Sequence, residues 1–356
     1  MRTELFDYDL PDDLIAQNPL PRGQSRMLVV NRPTGTIEHR AFSDLPDYLA
    51  SSDTLVLNDT RVTGRRLKAR RENGLAAEVL LLSPYGESGW RALVKPGRPL
   101  RPGKCISLVG PDTEVCATIV AETADGGRIL ELPDTIWRDR IANWGCIPLP
   151  PYIHRQLARF EEERYQTIYS RAGGSSAAPT AGLHFTDEVL ERILELGVQK
   201  TAITLHIGVG TFRPVRTEEI AGHEMHSEFV TISAASAETI NGTSGRIIAV
   251  GTTTVRALES SLNPDINFGA RSASGAETPV CSERAMPFSG PTNLFITPGY
   301  RFRAVDALIT NFHQPKSTLL MMVSAFAGLE LIRTAYQEAI GQRYRFFSFG
   351  DAMLIL

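Results

Sequence analysis

Five short segments of this chain carry polar and titratable residues where a structural element would ordinarily be plain. Leu57-Asn58-Asp59-Thr60-Arg61 directly follows an apolar run. Ligands of α/β proteins sit beyond the carboxyl ends of strands, so Arg61 could hold an anion with Asp59 orienting it. An Asx turn with a surface salt bridge is the plainer alternative. Ala177 to Phe185 (AAPTAGLHF) combines small residues, which let a ligand approach the backbone, with His184 and the start of a helix that favours a negative group. For His184 alone, a satisfied core imidazole is the plainer alternative. Leu205 to Phe212 (LHIGVGTF) delivers His206 and then Gly208-Val209-Gly210-Thr211. The third glycine of a dinucleotide fingerprint is missing, which leaves a backbone cradle for a carboxylate or a ribose. His223 to Glu228 (HEMHSE) sets two imidazoles and two carboxylates in six residues. The spacing is not that of a zinc-binding HExxH helix, so acid/base chemistry or ribose binding is preferred to a metal. Ile309 to Thr318 (ITNFHQPKST) reads as a strand end, a polar turn carrying His313 and a helix start. Five of the seven histidines lie in these segments. Imidazole titrates near neutrality, so the clustering points to an active site and not to a binding surface alone.

The surrounding pattern predicts elements that could position these segments. Apolar runs predict strands at Met27–Val30, Thr54–Leu57, Thr201–Leu205, Ile247–Val250 and Ala307–Ile309. Thr186 to Leu196 reads as a helix. Thr186 is its N-cap, Asp187 and Glu188 fill the first turn, Gly197 lies past the end, and Val189, Leu190, Ile193 and Leu194 form one face. Helices are also expected over Thr253–Ser260 and Lys316–Ala327. Between residues 62 and 151 the texture changes to short β-like runs (Ala76–Leu82, Trp90–Val94, Ile106–Val109, Val115–Ala121, Arg128–Leu132). Pro84-Tyr85-Gly86, Lys95-Pro96-Gly97, Arg101-Pro102-Gly103 and Asp125-Gly126-Gly127 separate them, with no clear helix. That pattern predicts a small antiparallel barrel or sandwich. The expected fold is therefore an α/β domain made of residues 1–61 and 152–356, split by an inserted β domain at 62–151. Ser261 to Arg284, polar and rich in Gly, Pro and Ser, reads as a mobile loop.

Composition narrows the classes. With 356 residues, 42% hydrophobic and 22% charged, the chain suits a soluble globular protein of about two domains. Its longest apolar stretch, Leu319 to Gly328, is about half of what a membrane span needs. The N-terminus is acidic and has no apolar core, so it does not read as a secretory signal. Cys105, Cys116, Cys146 and Cys281 form no CxxC pair, which argues against a zinc site or a disulfide framework and suits a reducing cytoplasm. Residues 61 to 151 hold 14 Lys and Arg against 10 Asp and Glu, a net +4, leaving −7 for the rest of a chain of net charge −3. Six of the eleven residues from Arg61 to Arg71 are basic, and Arg91, Lys95, Arg98, Arg101 and Lys104 follow.

These segments, with VGTTTVRALES (Val250 to Ser260), YRFFSFGDAMLI (Tyr344 to Ile355), LVLNDTRV (Leu55 to Val62), KPGR (Lys95 to Arg98) and PLPPYI (Pro148 to Ile153), resemble the S-adenosylmethionine:tRNA ribosyltransferase-isomerases of the queuosine pathway. The resemblance runs in order along almost the whole chain. Thr63-Gly64-Arg65-Arg66, Gln314 and Phe349 depart from the usual family pattern. The resemblance implies an α/β barrel-like main domain with an inserted small β-barrel. It implies a cytoplasmic, monomeric enzyme acting on tRNA with a GUN anticodon that carries 7-aminomethyl-7-deazaguanine at the wobble position. The ribosyl group of S-adenosylmethionine would be transferred and isomerised to give epoxyqueuosine, with release of adenine and methionine. S-adenosylmethionine is then a co-substrate, and neither a cofactor, a metal nor a membrane is implied.

Within that reading His184, His206, His226 and His313 are the acid/base candidates, with Glu228 as carboxylate partner. Asn58, Asp59, Arg61, Thr180, Gly208, Gly210, Thr211, Thr252, Thr253, Arg256, Asn311 and Asp351 are the substrate-binding candidates. Thr252, Thr253 and Arg256 suit ribose or the methionine carboxylate; Asp351 suits an amine or the deazaguanine edge, or is simply a turn residue. Arg65, Arg66, Lys68, Arg70, Lys95 and Arg98 of the insert are expected to contact tRNA phosphates. Two other classes compete: a plain RNA-binding module, which leaves the histidine segments unexplained, and a methyltransferase, which should show a Gly-rich loop after its first strand.

Overall fold

The computed structural model describes residues 1–63, 65–123, 126–208, 214–263 and 283–356 of the chain. Its N-terminal part forms β1 (Arg26–Val30), β2 (Ile37–Ala41), β3 (Thr54–Asn58) and β4 (Thr60–Val62). Then come β5 (Arg65–Arg71), β6 (Ala76–Tyr85), β7 (Gly89–Lys95), β8 (Cys105–Val109), β9 (Glu114–Glu122), β10 (Arg128–Glu131) and helix α1 (Thr135–Ile141). Alternation resumes with β11 (Ala172–Ser175), α2 (Asp187–Glu195), β12 (Gln199–His206), β13 (Glu228–Ile232), α3 (Ala234–Asn241) and β14 (Ile247–Val250). Helix α4 (Thr252–Ser261), β15 (Phe288–Thr292), β16 (Ala307–Asn311), α5 (Thr318–Ala327), α6 (Leu329–Gly341) and β17 (Ala352–Ile355) complete it.

The main sheet is nine-stranded and mixed, in the order β15-β13-β12-β3-β14-β16-β17-β1-β2. Its centre, β12-β3-β14-β16, is parallel, so the carboxyl ends of four strands share one edge. β17 runs antiparallel to β16 and parallel to β1, so the residues just before β17 and β1 come to that same edge. The central strands are unbroken apolar runs because both faces are covered. Alternate side chains go to opposite cores. Val56, Ala249, Leu308 and Met353 pack with α4, α5 and α6. Leu55, Leu57, Ile248, Ile309 and Leu354 pack with α2. Thr186 Oγ1 accepts from Val189 N at 3.2 Å and caps α2. Val189, Leu190 and Ile193 are buried as the pattern predicts, but Leu194 is exposed, because at about 3.6 residues per turn it falls at the flank of that stripe.

Residues 65 to 131 close into a six-stranded antiparallel barrel, β10-β7-β6-β5-β8-β9, with no free edge. The expected class, an α/β body with an inserted antiparallel barrel, is the observed one. The basic run is itself a strand: Leu67 and Ala69 of β5 point into the barrel core, and Lys68 and Arg70 point out. Two details differ from the sequence expectation. Pro84 and Tyr85 stay in β6, opposite Trp90 and Gly89, so the turn begins at Gly86. A helix is present, α1, capped by Asp134 through Trp137 N at 2.9 Å. Its last residue, Ile141, and Trp144 beyond it join the barrel core. Where the chain leaves for the barrel and where it returns, β4 and β11 pair in parallel. No single helix among the described residues is long and apolar enough to cross a membrane. Most of the Ser261–Arg284 segment, residues 264–282, lies outside the described residues.

The alternation in β5 makes a direct prediction. Leu67→Ala should cost about 3 kcal/mol in denaturant unfolding, because Leu67 is fully enclosed in the barrel. Lys68→Ala, one residue on, should stay within about 0.5 kcal/mol of the parent. Comparable losses would mean that the register of β5 is wrong.

Candidate active site

The site is built on the carboxyl ends of β3, β12, β14 and β16. Asn58, the last residue of β3, is fully buried. Its Nδ2 donates to Leu205 O at 3.1 Å and to Thr253 Oγ1 at 3.2 Å. Its Oδ1 accepts from Leu205 N at 3.0 Å and from Thr60 N at 3.2 Å. The amide is thus fully used in joining β3, β12 and α4, and no capacity remains for the expected contact with substrate. Asp59 accepts from Thr204 Oγ1 at 2.6 Å and from Arg171 at 2.9 Å. Arg61 bonds Glu163 and Ser170 instead of Asp59. This corner is thus an Asx turn made by Asn58, with ion pairs at Asp59 and Arg61.

Two openings flank this corner. A pocket of about 60 Å³ is lined by Thr180, Gly251, Thr252, Thr253, Thr310, Asn311, His313 and Ser348, among others. A cleft of about 470 Å³ is lined by Gly174, His206, Gly208, His226 and Glu228 on one side and by Leu82, Ser83, Arg91 and Leu93 of the barrel on the other. Ile207 lines both. Four of the five segments picked out by their polar residues, those with His184, His206, His226 and His313, thus surround one place. Gly210 and Thr211 lie outside the described residues.

The histidines divide into two kinds. His184 is buried; its Nδ1 is 2.8 Å from Ser25 Oγ and its Nε2 is 3.2 Å from Asn311 Nδ2. Burial, reinforced by the nearby Arg164, Arg22 and Arg345, pushes its pKa down to about 3. His313 lies against Thr310 Oγ1 at 2.7 Å, and burial pushes it to about 3 as well. Burial thus disfavours the charged form of both imidazoles. His206 and His226 instead face the cleft. His206 Nδ1 is 2.8 Å from Thr60 Oγ1. Burial lowers its pKa, and Asp59 nearby counters the shift. Gly174 lies over the imidazole, where a β-carbon would sit 3.0–3.2 Å from ring atoms, so the absence of a side chain keeps that face open. His226 is exposed at the rim of the cleft. His223 packs its ring edge-on against Phe295.

Glu228 has an arginine as a partner. It forms an ion pair with Arg256 at 2.8 Å, both side chains under 5% exposed. It also accepts from Gly208 N at 2.9 Å. Arg256 donates to His226 O and Thr292 O. Burial lowers its pKa, and Glu228 opposes that shift. Arg256 and the Gly208 amide, both expected to meet substrate, are therefore engaged with the protein. Asp351 is buried, accepts from Arg26 N and Arg345 N, and takes no part in lining either opening; it is the turn residue. Arg65 is paired with Glu162 at 2.7 Å and is half-buried. Arg66 is half-buried too, whereas Lys68, Arg70, Lys95 and Arg98 are exposed on the barrel. Sequence reasoning missed Ser25, Thr60, Gly174 and the cleft-facing position of Arg91, each brought in by an element packed from elsewhere in the chain.

Comparisons with known proteins identify the family. A family model described as "Queuosine biosynthesis protein" matches residues 3–355. The chain belongs to the S-adenosylmethionine:tRNA ribosyltransferase-isomerase family. A curated relative of that name from Symbiobacterium thermophilum is 52% identical, with 100% of both chains covered. One from Staphylococcus saprophyticus is 47% identical over the same coverage. A crystal structure of S-adenosylmethionine tRNA ribosyltransferase from Thermotoga maritima is 37% identical and superposes with a TM-score of 0.53, covering 99% of this chain and 100% of that one. Family membership makes the protein an enzyme, of the transferase and isomerase type.

Two outcomes follow from the electrostatics. Glu228→Gln should lower stability by about 3–5 kcal/mol, since it leaves Arg256 buried without a countercharge. Adding Arg256→Met should restore part of the loss in denaturant unfolding; no recovery would mean that the pair is not the cause. The histidines set a pH dependence. Their folded pKa of about 3 lies below the ordinary 6.5, so between those values the unfolded chain binds more protons. Stability should be unaffected above pH 6.5 and fall as pH drops below it. His184→Gln should flatten that fall by about one proton, read from unfolding at a series of pH values.

Proposed function

We propose that the protein transfers the ribosyl group of S-adenosylmethionine to the aminomethyl nitrogen of 7-aminomethyl-7-deazaguanine at the wobble position of a tRNA with a GUN anticodon. The group is isomerised on transfer, the base becomes epoxyqueuosine, and adenine and methionine leave. One observation carries the reading beyond the family name. The cleft with His206 and His226 has the basic barrel as its second wall and a small polar pocket behind it. A centre of that shape is open to a macromolecule on one side and to a small sulfonium compound on the other.

The chemistry asks for proton transfers in both directions. The sulfonium acidifies the C5′ proton, and a base removes it. The resulting ylide drives loss of adenine with opening of the ribose, which an acid near the adenine nitrogens assists. The substrate amine must be neutral to attack, and ring closure to the carbocycle and epoxide then expels methionine. His206, with Nδ1 held by Thr60, and His226 at the rim are the residues for these transfers. His184 and His313 act as neutral hydrogen-bonding groups. The flipped wobble base enters between β6, β7 and the strand ends. Residues 62–151 serve as the tRNA-contacting domain of a catalytic body made of 1–61 and 152–356, with Lys68, Arg70, Lys95 and Arg98 meeting phosphates. In this reading the enzyme works as a cytoplasmic monomer, without a metal or an organic cofactor.

The test is incubation of the purified protein with S-adenosylmethionine and an anticodon stem-loop bearing the aminomethyl base. Adenine and methionine should appear in step with an epoxycyclopentyl adduct on the RNA. A methylated RNA with S-adenosylhomocysteine, or intact S-adenosylmethionine beside tightly bound RNA, would overturn the proposal. His206→Gln should lower kcat about 10²-fold or more with little change in S-adenosylmethionine affinity.

A further inference from the structure

We propose that the small pocket beside α4 seats an α-amino acid head group, the methionine end of the sulfonium substrate, with its carboxylate on the first-turn amides of α4 and its ammonium on Asn311 Oδ1. The inference rests on the ribosyl-transfer reading and says which end of the substrate goes where.

The pocket offers donors on one wall. Helix α4 begins at Gly251, whose φ is 89° and which provides no side-chain cap. Gly251, Thr252 and Thr253 all line the pocket. The Thr253 hydroxyl is turned toward Asn58 and does not cap the helix either. Uncapped first-turn N–H groups, with the helix dipole behind them, favour a carboxylate.

The end of β16, beside the start of α4, offers an acceptor. Asn311 is 2% exposed and lines the same pocket. Its Nδ2 donates to Phe347 O at 3.1 Å. A carbonyl can only accept, so this contact fixes which way the amide faces. The same Nδ2 meets His184 Nε2, which must then be the acceptor, leaving Nδ1–H of His184 to donate to Ser25. The other end of the amide, Oδ1, is buried and has no hydrogen-bond partner. A buried acceptor without a donor is costly, and an ammonium supplies three donors. Donors for an anion and a lone acceptor for a cation, lining one opening, match a zwitterion. His184 is thereby a positioning residue, acting through Asn311.

Size agrees with this assignment. About 60 Å³ suits a head group, and the adjoining cleft of about 470 Å³ leaves room for the nucleoside. Arg256, the residue whose charge best suits a carboxylate in the sequence, is already paired with Glu228.

The test is calorimetric titration of the full chain with S-adenosylmethionine, its decarboxylated analogue, methylthioadenosine and methionine. Thr252→Pro removes one first-turn amide at a helix position where proline is well tolerated, and Thr252→Ala keeps it. Thr252→Pro should weaken S-adenosylmethionine at least tenfold and change methylthioadenosine and the decarboxylated analogue less than twofold, while Thr252→Ala stays near the parent. Asn311→Leu should weaken S-adenosylmethionine and the decarboxylated analogue, which keeps the ammonium, and spare methylthioadenosine. If Thr252→Pro does not fold, the Asn311→Leu series decides the matter. Equal weakening of every ligand, or no weakening, overturns the inference while the ribosyl-transfer reading stands. If the parent chain binds neither S-adenosylmethionine nor methylthioadenosine, the reading itself fails and the inference with it.

Discussion

The four hydrogen bonds of the Asn58 side chain hold the site together. One primary amide, buried where β3 ends, accepts twice and donates twice. No aliphatic or carboxylate side chain of that size can do both. Through it the ends of β3 and β12 are tied to each other and to the start of α4. That bond draws the Thr253 hydroxyl away from the helix end. The amide also turns the chain at Thr60, which places the Thr60 hydroxyl against His206. The pocket on one side and the cleft on the other both depend on this corner.

Desolvation then sorts the polar residues into supports and reactive groups. His184 and His313 are deep enough that the cost of charging them outweighs any gain from a neighbour. They orient amides and hydroxyls without changing charge. Glu228 and Arg256 are equally deep, but each supplies the other's countercharge and the backbone around them supplies further bonds. What remains within reach of solvent at the cleft is His206, half-buried beside Thr60, and the exposed His226.

Much of this was legible from residue order. Unbroken runs such as TLVL and IIAV mark strands covered on both faces, and the turn-separated runs between 62 and 151 mark a barrel. The cap at Thr186 and the apolar stripe behind it give α2. The polar segments at strand ends locate the site. Spacing says nothing of which partner a buried charge has chosen. Asp59 found Arg171 and not Arg61, and Glu228 found Arg256 across 28 residues, because sheet order brings them together. Half-exposed strands such as β13 and β15 escaped notice, since alternating burial over five residues leaves few apolar positions. Ser25 joins His184 only because β1 runs antiparallel to the central strands, which local sequence does not encode.

The order of strands in the main sheet has a consequence for how the chain acquires its structure. Every pairing in the barrel joins segments between residues 65 and 131. β3, by contrast, finds its neighbours at residues 199–203 and 247–249, and β1 pairs with β17 at 352–355. Contacts close in sequence form faster than those that must close long loops. As the chain leaves the ribosome the barrel can condense early. The apolar strand β3 waits unpaired, and β1 has only its local partner β2, until the C-terminal half has emerged. The last strand made is the one that completes the sheet, so a truncated chain would keep its barrel and lose the order of its main sheet.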